Sequence, residues 1–263
     1  MSHPPATPVQ PRPARVQLLV TCLVDTLYPD VGFAVVSVLE RLGVAVEAPS
    51  RQTCCGQPAF NAGSWDEARA MARHLVDVFS VSDLPVVVPS GSCGDMVIHQ
   101  APALLADDPA YADRARALAA RTYEFTSFLV DVLGVTDVGA VASGQVAYHP
   151  ACHGLRGLGL DRQPKALLDA VSGITRCRLP DAETCCGFGG LFSVKMSEIS
   201  GSLLARKIAN IEASGADTLV ATDVSCLMHI AGGLHRKSSP IRVRHLAEVL
   251  QDGNVPGHGD QTR

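Results

Sequence analysis

Nine cysteines are the residues of this 263-residue chain best placed to do chemistry, and their spacing says which chemistry. They lie at Cys22, Cys54, Cys55, Cys93, Cys152, Cys177, Cys185, Cys186 and Cys226. With Cys177 set aside, the other eight repeat one pattern twice. A single cysteine is followed 32 or 33 positions later by Cys-Cys-Gly, and a further cysteine comes 38 or 40 positions after the pair. Matched cysteines are offset by 130 to 133 positions. Such agreement over so long a period marks two fused copies of one unit, and the period is too long for a solenoid.

Four thiols per copy match the four thiolates that hold a [4Fe–4S] cluster. The compact C-x2-C-x2-C run of ferredoxins is absent. A mononuclear zinc site is usually built from separated cysteine pairs. Adjacent cysteines suit a polynuclear cluster better, because they can reach different metal atoms. In an extended strand the neighbouring thiols of Cys54-Cys55 and Cys185-Cys186 would point to opposite faces. The chain must therefore turn at each pair, and Gly56 and Gly187 permit the positive φ such a turn demands. Amides freed by the turn can donate to sulfur. The plainer reading of a free cysteine is a small buried hydrophobe. Duplication speaks against it for the eight and leaves it standing for Cys177, expected as a core thiol in a strand.

These residues need positioning elements. Val16–Cys22 reads as a buried strand, Phe33–Leu42 as a helix stopped by Gly43, and Val44–Ala48 as a second strand. Ser64 with Glu67 has the form of a capping box opening a helix from Trp65 to Phe79. Pro85–Pro89 is a third strand ending at Ser90-Gly-Ser-Cys93. The second half repeats this order: strand Gln145–Tyr148, helix Lys165–Val171, strand Ile174–Leu179, helix Met196–Ala213, strand Thr218–Ala221, then Ile241–Arg244 and a short helix Leu246–Leu250. Alternating strands and helices imply an α/β fold of two pseudo-symmetric β-α-β repeats with mostly parallel sheets, each carrying a Cys-Cys-Gly loop. Residues 15–110 form the first repeat, 111–143 a helical connector and 144–251 the second repeat, with flexible tails at 1–14 and 252–263. Cys22, Cys93, Cys152 and Cys226 fall at or just after strand C-termini, the edge where parallel α/β sheets bind ligands.

Composition narrows the function. The chain is 47% hydrophobic, enough for a core, and its net charge of −4 shows no basic stripe for nucleic acid. No apolar run approaches the roughly 18 residues a membrane helix needs. The proline-rich start lacks the apolar stretch of a secretory signal, so a cytoplasmic protein is expected. In that reducing setting clustered cysteines bind metal or do redox chemistry rather than pair as disulfides. His149 and His153 flank Cys152 and could donate to cluster sulfur, shuttle a proton, or simply end a strand. Gly187-Phe-Gly-Gly190 could cradle an anion but lacks the dinucleotide spacing.

The duplicated pattern resembles the cysteine-rich CCG domain found in heterodisulfide reductase, in the iron–sulfur subunit of glycolate oxidase and in the membrane-anchoring subunit of anaerobic glycerol-3-phosphate dehydrogenase. Within that group the chain is most similar to the lactate-utilisation protein A family. The stretches Thr53–Gly63, Pro89–Cys93, Tyr148–His153, Thr184–Lys195, Asp223–Cys226 and His245–Leu250 carry the likeness, which spans roughly Val16 to Leu250. The resemblance implies an oxidoreductase subunit that works with an iron–sulfur partner protein and a third protein in oxidising L-lactate to pyruvate. It also implies iron–sulfur clusters held by Cys22, Cys54, Cys55 and Cys93 in one repeat and Cys152, Cys185, Cys186 and Cys226 in the other. The fuller motif ends in Cys-x-x-Cys, and here Ser90 and Asp223 stand in place of the first of those cysteines. Each repeat then holds a cubane cluster, or takes an oxygen ligand from Ser90 or Asp223, or one repeat holds zinc or no metal. Two other functions stay open: thiol–disulfide chemistry of the heterodisulfide reductase kind, and a structural zinc module for assembly.

Overall fold

The computed structural model describes residues 12–253. The tails expected at 1–14 and 252–263 lie for the most part outside the described residues. Eight strands form two four-stranded sheets, parallel at every pairing. The first has the order β2-β1-β3-β4, with β1 Arg15–Leu18, β2 Ala45–Glu47, β3 Val86–Val88 and β4 Thr122–Glu124. The second repeats it as β6-β5-β7-β8, with β5 Val141–His149, β6 Ser172–Cys177, β7 Thr218–Ala221 and β8 Arg242–His245. The duplicated α/β architecture is the one the cysteine repeat implies.

Strand periodicity decides what packs where. Val16 and Leu18 of the β1 strand, Val87 of β3, Val146 and Tyr148 of β5 and Val220 of β7 point into one core shared by both halves. Helices Pro29–Arg41, Arg162–Asp169 and Leu246–Gln251 and the segment Phe125–Leu133 complete it. Alternate residues face outward. Leu19, Val86 and Val88 pack under helix Trp65–Phe79, and Ala147 and Leu219 under helices Ser197–Ala213 and Val224–Arg236. The period of two along buried strands thus serves two cores at once. Because the middle core draws on both sheets, the halves form one body.

Several elements differ from expectation. β1 ends at Leu18 instead of running to Cys22, because Gln52 takes over as the strand's neighbour. Its Oε1 accepts from Val20 N at 2.8 Å and its Nε2 donates to Leu18 O at 3.3 Å. Cys22 then opens helix Cys22–Leu27. The segment Tyr111–Leu133 is not helical throughout: Thr122–Glu124 pairs in parallel with Val86–Val88 as the fourth strand of the first sheet. Three residues are too few for a periodic signal. Ser64 does occupy the N-cap of Trp65–Phe79, but its side chain makes no capping hydrogen bond. The capping box lies elsewhere, at His245, whose Nδ1 accepts from Ala247 N while Glu248 Oε2 accepts from His245 N.

The halves meet backbone to backbone. Gly91, at the start of helix Gly91–Asp95, sits so close to Gly154 that a Cβ on it would stand 2.7 Å from the Gly154 nitrogen. Nearby, a Cβ on Gly157 would meet a carboxylate oxygen of Asp95 at 2.6 Å. These approaches press the C-terminal edges of the two sheets against one another.

Candidate metal centre

In each sheet the chain leaves the first strand to one side and returns to the other. This creates a switch point between β1 and β3, and again between β5 and β7. The loops that leave those C-terminal edges carry the cysteines. Cys22 follows β1, Cys54-Cys55 follows β2 and Cys93 follows β3; Cys152, Cys185-Cys186 and Cys226 follow β5, β6 and β7. All eight line a single cavity of about 190 Å³ between the halves. Cys177 does not; it ends β6, half buried, and donates to Gln145 Oε1 at 3.0 Å. It packs, partly buried, against the core of the second half, a structural thiol in a strand as expected, though on the sheet's outer strand.

Within each quartet the sulfurs touch. Cys55 and Cys93 sulfurs are 3.3 Å apart, and Cys186 and Cys226 sulfurs 3.1 Å. All nine cysteines are free thiols. Gly56 and Gly187 make the sharp turns with φ of 92° and 93°. Such a φ is open to glycine at little cost. At Gly187 a Cβ would also strike Ser200 O at 2.6 Å. The turn amides do reach sulfur: Gly187 N donates to Cys185 Sγ at 3.3 Å and Phe188 N to Cys186 Sγ at 3.5 Å.

Within each quartet the thiols pull on one another unequally. Donation from Cys22 and Cys55 pulls the Cys54 thiol down to about 2, and donation from Cys152 and Cys186 does the same for Cys185. Their neighbours move the other way. Cys22 and Cys152 are pushed up because they donate to those sulfurs and are partly buried. Cys55 and Cys186 rise for the same two reasons, each also against Cys93 or Cys226. Four soft sulfurs form a donor set that selects zinc or an iron–sulfur cluster over hard cations.

Ser90 and Asp223 are occupied otherwise. Each is the N-cap of the helix that carries the last cysteine of its quartet: Ser90 Oγ accepts from Cys93 N at 3.3 Å and Asp223 Oδ1 from Ser225 N at 3.1 Å. Serine and aspartate are favoured at that position for this reason. They also meet across the seam, where Asp223 Oδ2 accepts from Ser90 Oγ at 3.2 Å and from Ser92 N at 2.9 Å. Both oxygens of the buried carboxylate are thus engaged, with donors from each half.

The second quartet has a further potential donor. His149 is 1% exposed, and neither ring nitrogen has a hydrogen-bond partner among the described residues. A ring nitrogen lies within 4.8 Å of the sulfurs of Cys186 and Cys226. Burial, with the Lys207 charge beside it, pushes the imidazole down to about 4. A buried, orphaned nitrogen among thiols fits a site built around a bound group. His153 instead bridges the seam, with Nδ1 3.8 Å from Cys152 Sγ and Nε2 3.5 Å from Gln57 Nε2. Gly189 and Gly190 line the same cavity.

Lys207 was not legible as a site residue. It is wholly buried and donates to Asp181 O at 3.2 Å and Ala182 O at 2.9 Å. Burial pulls its ammonium down to about 8, against the pull of the Cys186, Cys226 and Cys185 sulfurs. A signal existed: Lys207 interrupts the apolar stripe of Leu204, Ile208 and Ile211 on its helix.

Comparison with known proteins agrees with this geometry. The cysteine-rich domain family CCG matches twice, over residues 16–98 and 146–231. Lactate utilization protein A from Exiguobacterium is 48% identical over 239 residues, covering 90% of this chain and 97% of that one. The Bacillus pumilus protein of the same name is 49% identical over 236 residues, with 90% and 98% covered. That of Halalkalibacterium halodurans is 46% identical over 249 residues, with 95% and 99% covered. The crystal structure of a hypothetical protein from Helicobacter pylori shares the fold at 9% identity, with a TM-score of 0.61 over 90% of this chain and 48% of that one. Two copies of the domain and near full-length identity at this level place the chain in the CCG cysteine-rich family and, within it, in the lactate utilization protein A family.

Proposed function

We propose that this chain is the iron–sulfur electron-transfer subunit of a cytoplasmic system that oxidises L-lactate to pyruvate. The observation that carries the reading is the convergence of two four-thiol sets on one cavity. The name its relatives bear, lactate utilization protein A, supplies the metabolic setting. Cys22, Cys54, Cys55 and Cys93 would hold one cluster, and Cys152, Cys185, Cys186 and Cys226 the other. When bound, such clusters supply one-electron storage.

The chain's own residues do the rest. Cys54 and Cys185 accept from neighbouring thiols, which favours loss of their protons to incoming metal. Amides of Gly187 and Phe188 donate to sulfur and favour the charge that accumulates there. Apolar packing behind Cys55, Cys93, Cys186 and Cys226, all buried, backs the sulfurs that line the cavity. Electrons pass onward to an iron–sulfur partner protein and a third subunit of the system. Among the described residues no helix is long and apolar enough to cross a membrane.

One observation favours a second reading. Sulfur contacts of 3.1 and 3.3 Å need to open by only about half an ångström to reach the edge of about 3.8 Å that tetrahedral zinc with zinc–sulfur bonds of about 2.3 Å requires, in one or both halves. Anaerobic metal analysis with EPR on the purified full-length protein separates the two. About four to eight iron per chain, with matching sulfide and a cluster signal, is the expected result. One or two zinc per chain, with no iron and no signal, would overturn the electron-transfer reading.

A further inference from the structure

The two quartets are alike in their thiols and unlike in their surroundings. Three residues before Cys22 stands Leu19; three before Cys152 stands His149. Three residues after Cys93 stands Met96; three after Cys226 stands His229. Gly56 lies against Ala68 O and Met71 Cβ, and Gly187 against Ser200 O and Leu203 Cβ. That matches Ala68 with Ser200 and, seven residues on, Leu75 with Lys207. At all four positions the first half is apolar and the second polar or ionisable. Leu19, Ala68, Leu75 and Met96 are fully buried around the first Cys-Cys-Gly loop.

Around the second loop the same places form a polar shell. Lys207 bonds to the carbonyls of Asp181 and Ala182, which hold it beneath the segment leading to Cys185. His149 stands within 4.8 Å of Cys186 and Cys226, and neither ring nitrogen makes a hydrogen bond of ordinary length among the described residues, with the Ala182 carbonyl the backbone acceptor beside it. His229 lies 3.3 Å from Ser200 Oγ and packs edge-on against Phe188. The buried carboxylate beside this shell, Asp223, is engaged on both of its oxygens. Its two oxygens accept from Ser90 and Ser92 of the first half and from Ser225 of the second, so its charge is held at the seam by donors from both.

Reducing an iron–sulfur centre adds one negative charge to it. A fixed cation and N–H donors in a dry site stabilise that charge, whereas leucine and methionine do not. We infer that Lys207 and His149 raise the reduction potential of the centre held by Cys152, Cys185, Cys186 and Cys226 above that of the centre held by Cys22, Cys54, Cys55 and Cys93. An electron entering the pair then settles on the second half. The inference rests on the proposed function and deepens it by giving transfer a direction.

An EPR-monitored redox titration of the reconstituted full-length protein tests it, with iron and sulfide measured on every sample. Wild type should show two midpoints. Cys185→Ser should remove the higher and Cys54→Ser the lower. Lys207→Gln keeps a donor for the two carbonyls and removes the charge. It should lower the higher midpoint by at least a tenfold change in the one-electron equilibrium, about 59 mV, and leave the other in place. Lys207→Arg should hold the midpoint near wild type, and His149→Leu should lower it. A purely structural role would change iron content or unfolding without this charge-dependent pattern. Should Lys207→Gln fail to fold, the wild-type order and His149→Leu still decide. Two equal midpoints, the reverse order, or a Lys207→Gln variant that moves neither or both would overturn the inference while the iron–sulfur reading stands. Protein with zinc and no iron overturns that reading first, and the inference with it.

Discussion

Replacing Gly91 by alanine tests whether the two halves meet as described. The new Cβ would stand 2.7 Å from Gly154 N and 2.8 Å from Gly154 Cα. Both atoms are backbone, so no side chain can swing aside. Ordinary contact begins at 3.4 Å, so the two segments must part by roughly 0.7 Å. Overpacking of this kind costs about 1–3 kcal/mol. Alanine in a helix recovers up to about 1 kcal/mol of propensity relative to glycine. The net expectation is a loss of about 1–2 kcal/mol, which lowers Tm by several degrees in a chain of this size. Gly201→Ala is the internal control. Gly201 lies in helix Ser197–Ala213 with no neighbour within 4 Å of an added Cβ, so the same change there should stabilise by roughly 0.5–1 kcal/mol. Urea and thermal unfolding of both variants reads the difference. The two should move in opposite directions, and Gly91→Ala should also bind less metal, because Gly91 lies two residues from Cys93 and Gly154 two from Cys152. A Gly91→Ala protein as stable as Gly201→Ala would refute the backbone contact at this seam.

Other residues make separate predictions. Cys54→Ser should lose the metal of the first half and Cys185→Ser that of the second, while Cys177→Ser, whose thiol faces Gln145, should keep both; metal analysis of the three variants checks it, and equal loss in all would sink the ligand assignment. Burial holds the His245 imidazole at about 4, below its ordinary 6.5. The stability it contributes is therefore complete above pH 6.5 and lost as pH falls through 4, on the order of 3 kcal/mol, and His245→Asn, which keeps an N-cap acceptor, should flatten that acid limb in urea titrations. Glu124 runs the opposite way. Burial raises it from 4.5 to about 7, so its contribution is complete below 4.5 and lost as pH rises through 7; Glu124→Gln should gain on wild type between pH 5 and 8 in the same assay.

How much was legible follows from what each feature depends on. The cysteine repeat and the core strands could be read because period two and a fixed offset are properties of sequence alone. Val86–Val88 leaves a run of β-branched residues bounded by Pro85 and Pro89, the pattern of a fully buried strand. The end of β1 could not be read, since Gln52, far along the chain, supplies the partner that stops it. Nor could β4, whose three residues hold their place through pairing with β3 rather than by a pattern of their own. The thiols' chemistry was visible, but their surroundings were not. His149 was singled out through its neighbour Cys152, yet its orphaned nitrogens depend on a burial that no local window records. Lys207 was hidden because lysine in a helix is ordinarily a solvated residue, and only its place on an apolar stripe argued otherwise.

Fusion of the two copies explains why the surroundings could diverge. In a symmetric pair of identical chains the positions of Ser90 and Asp223 would carry the same residue. Two aspartates facing one another at the distance seen between Ser90 Oγ and Asp223 Oδ2, 3.2 Å, would repel and one would have to bind a proton. Two serines would leave Ser92 N without the carboxylate that now accepts from it at 2.9 Å. A serine opposite an aspartate satisfies both caps and joins the halves with a charge-assisted bond. The same freedom allows Lys207 in one half and Leu75 in the other. A buried lysine needs two carbonyls turned towards it, and the loop before Cys185 provides them through Asp181, a residue held at a positive φ of 43°, and its neighbour Ala182. Leu75 needs only the apolar contacts of its core. Each half keeps its four thiols, while the residues that surround them are released from symmetry.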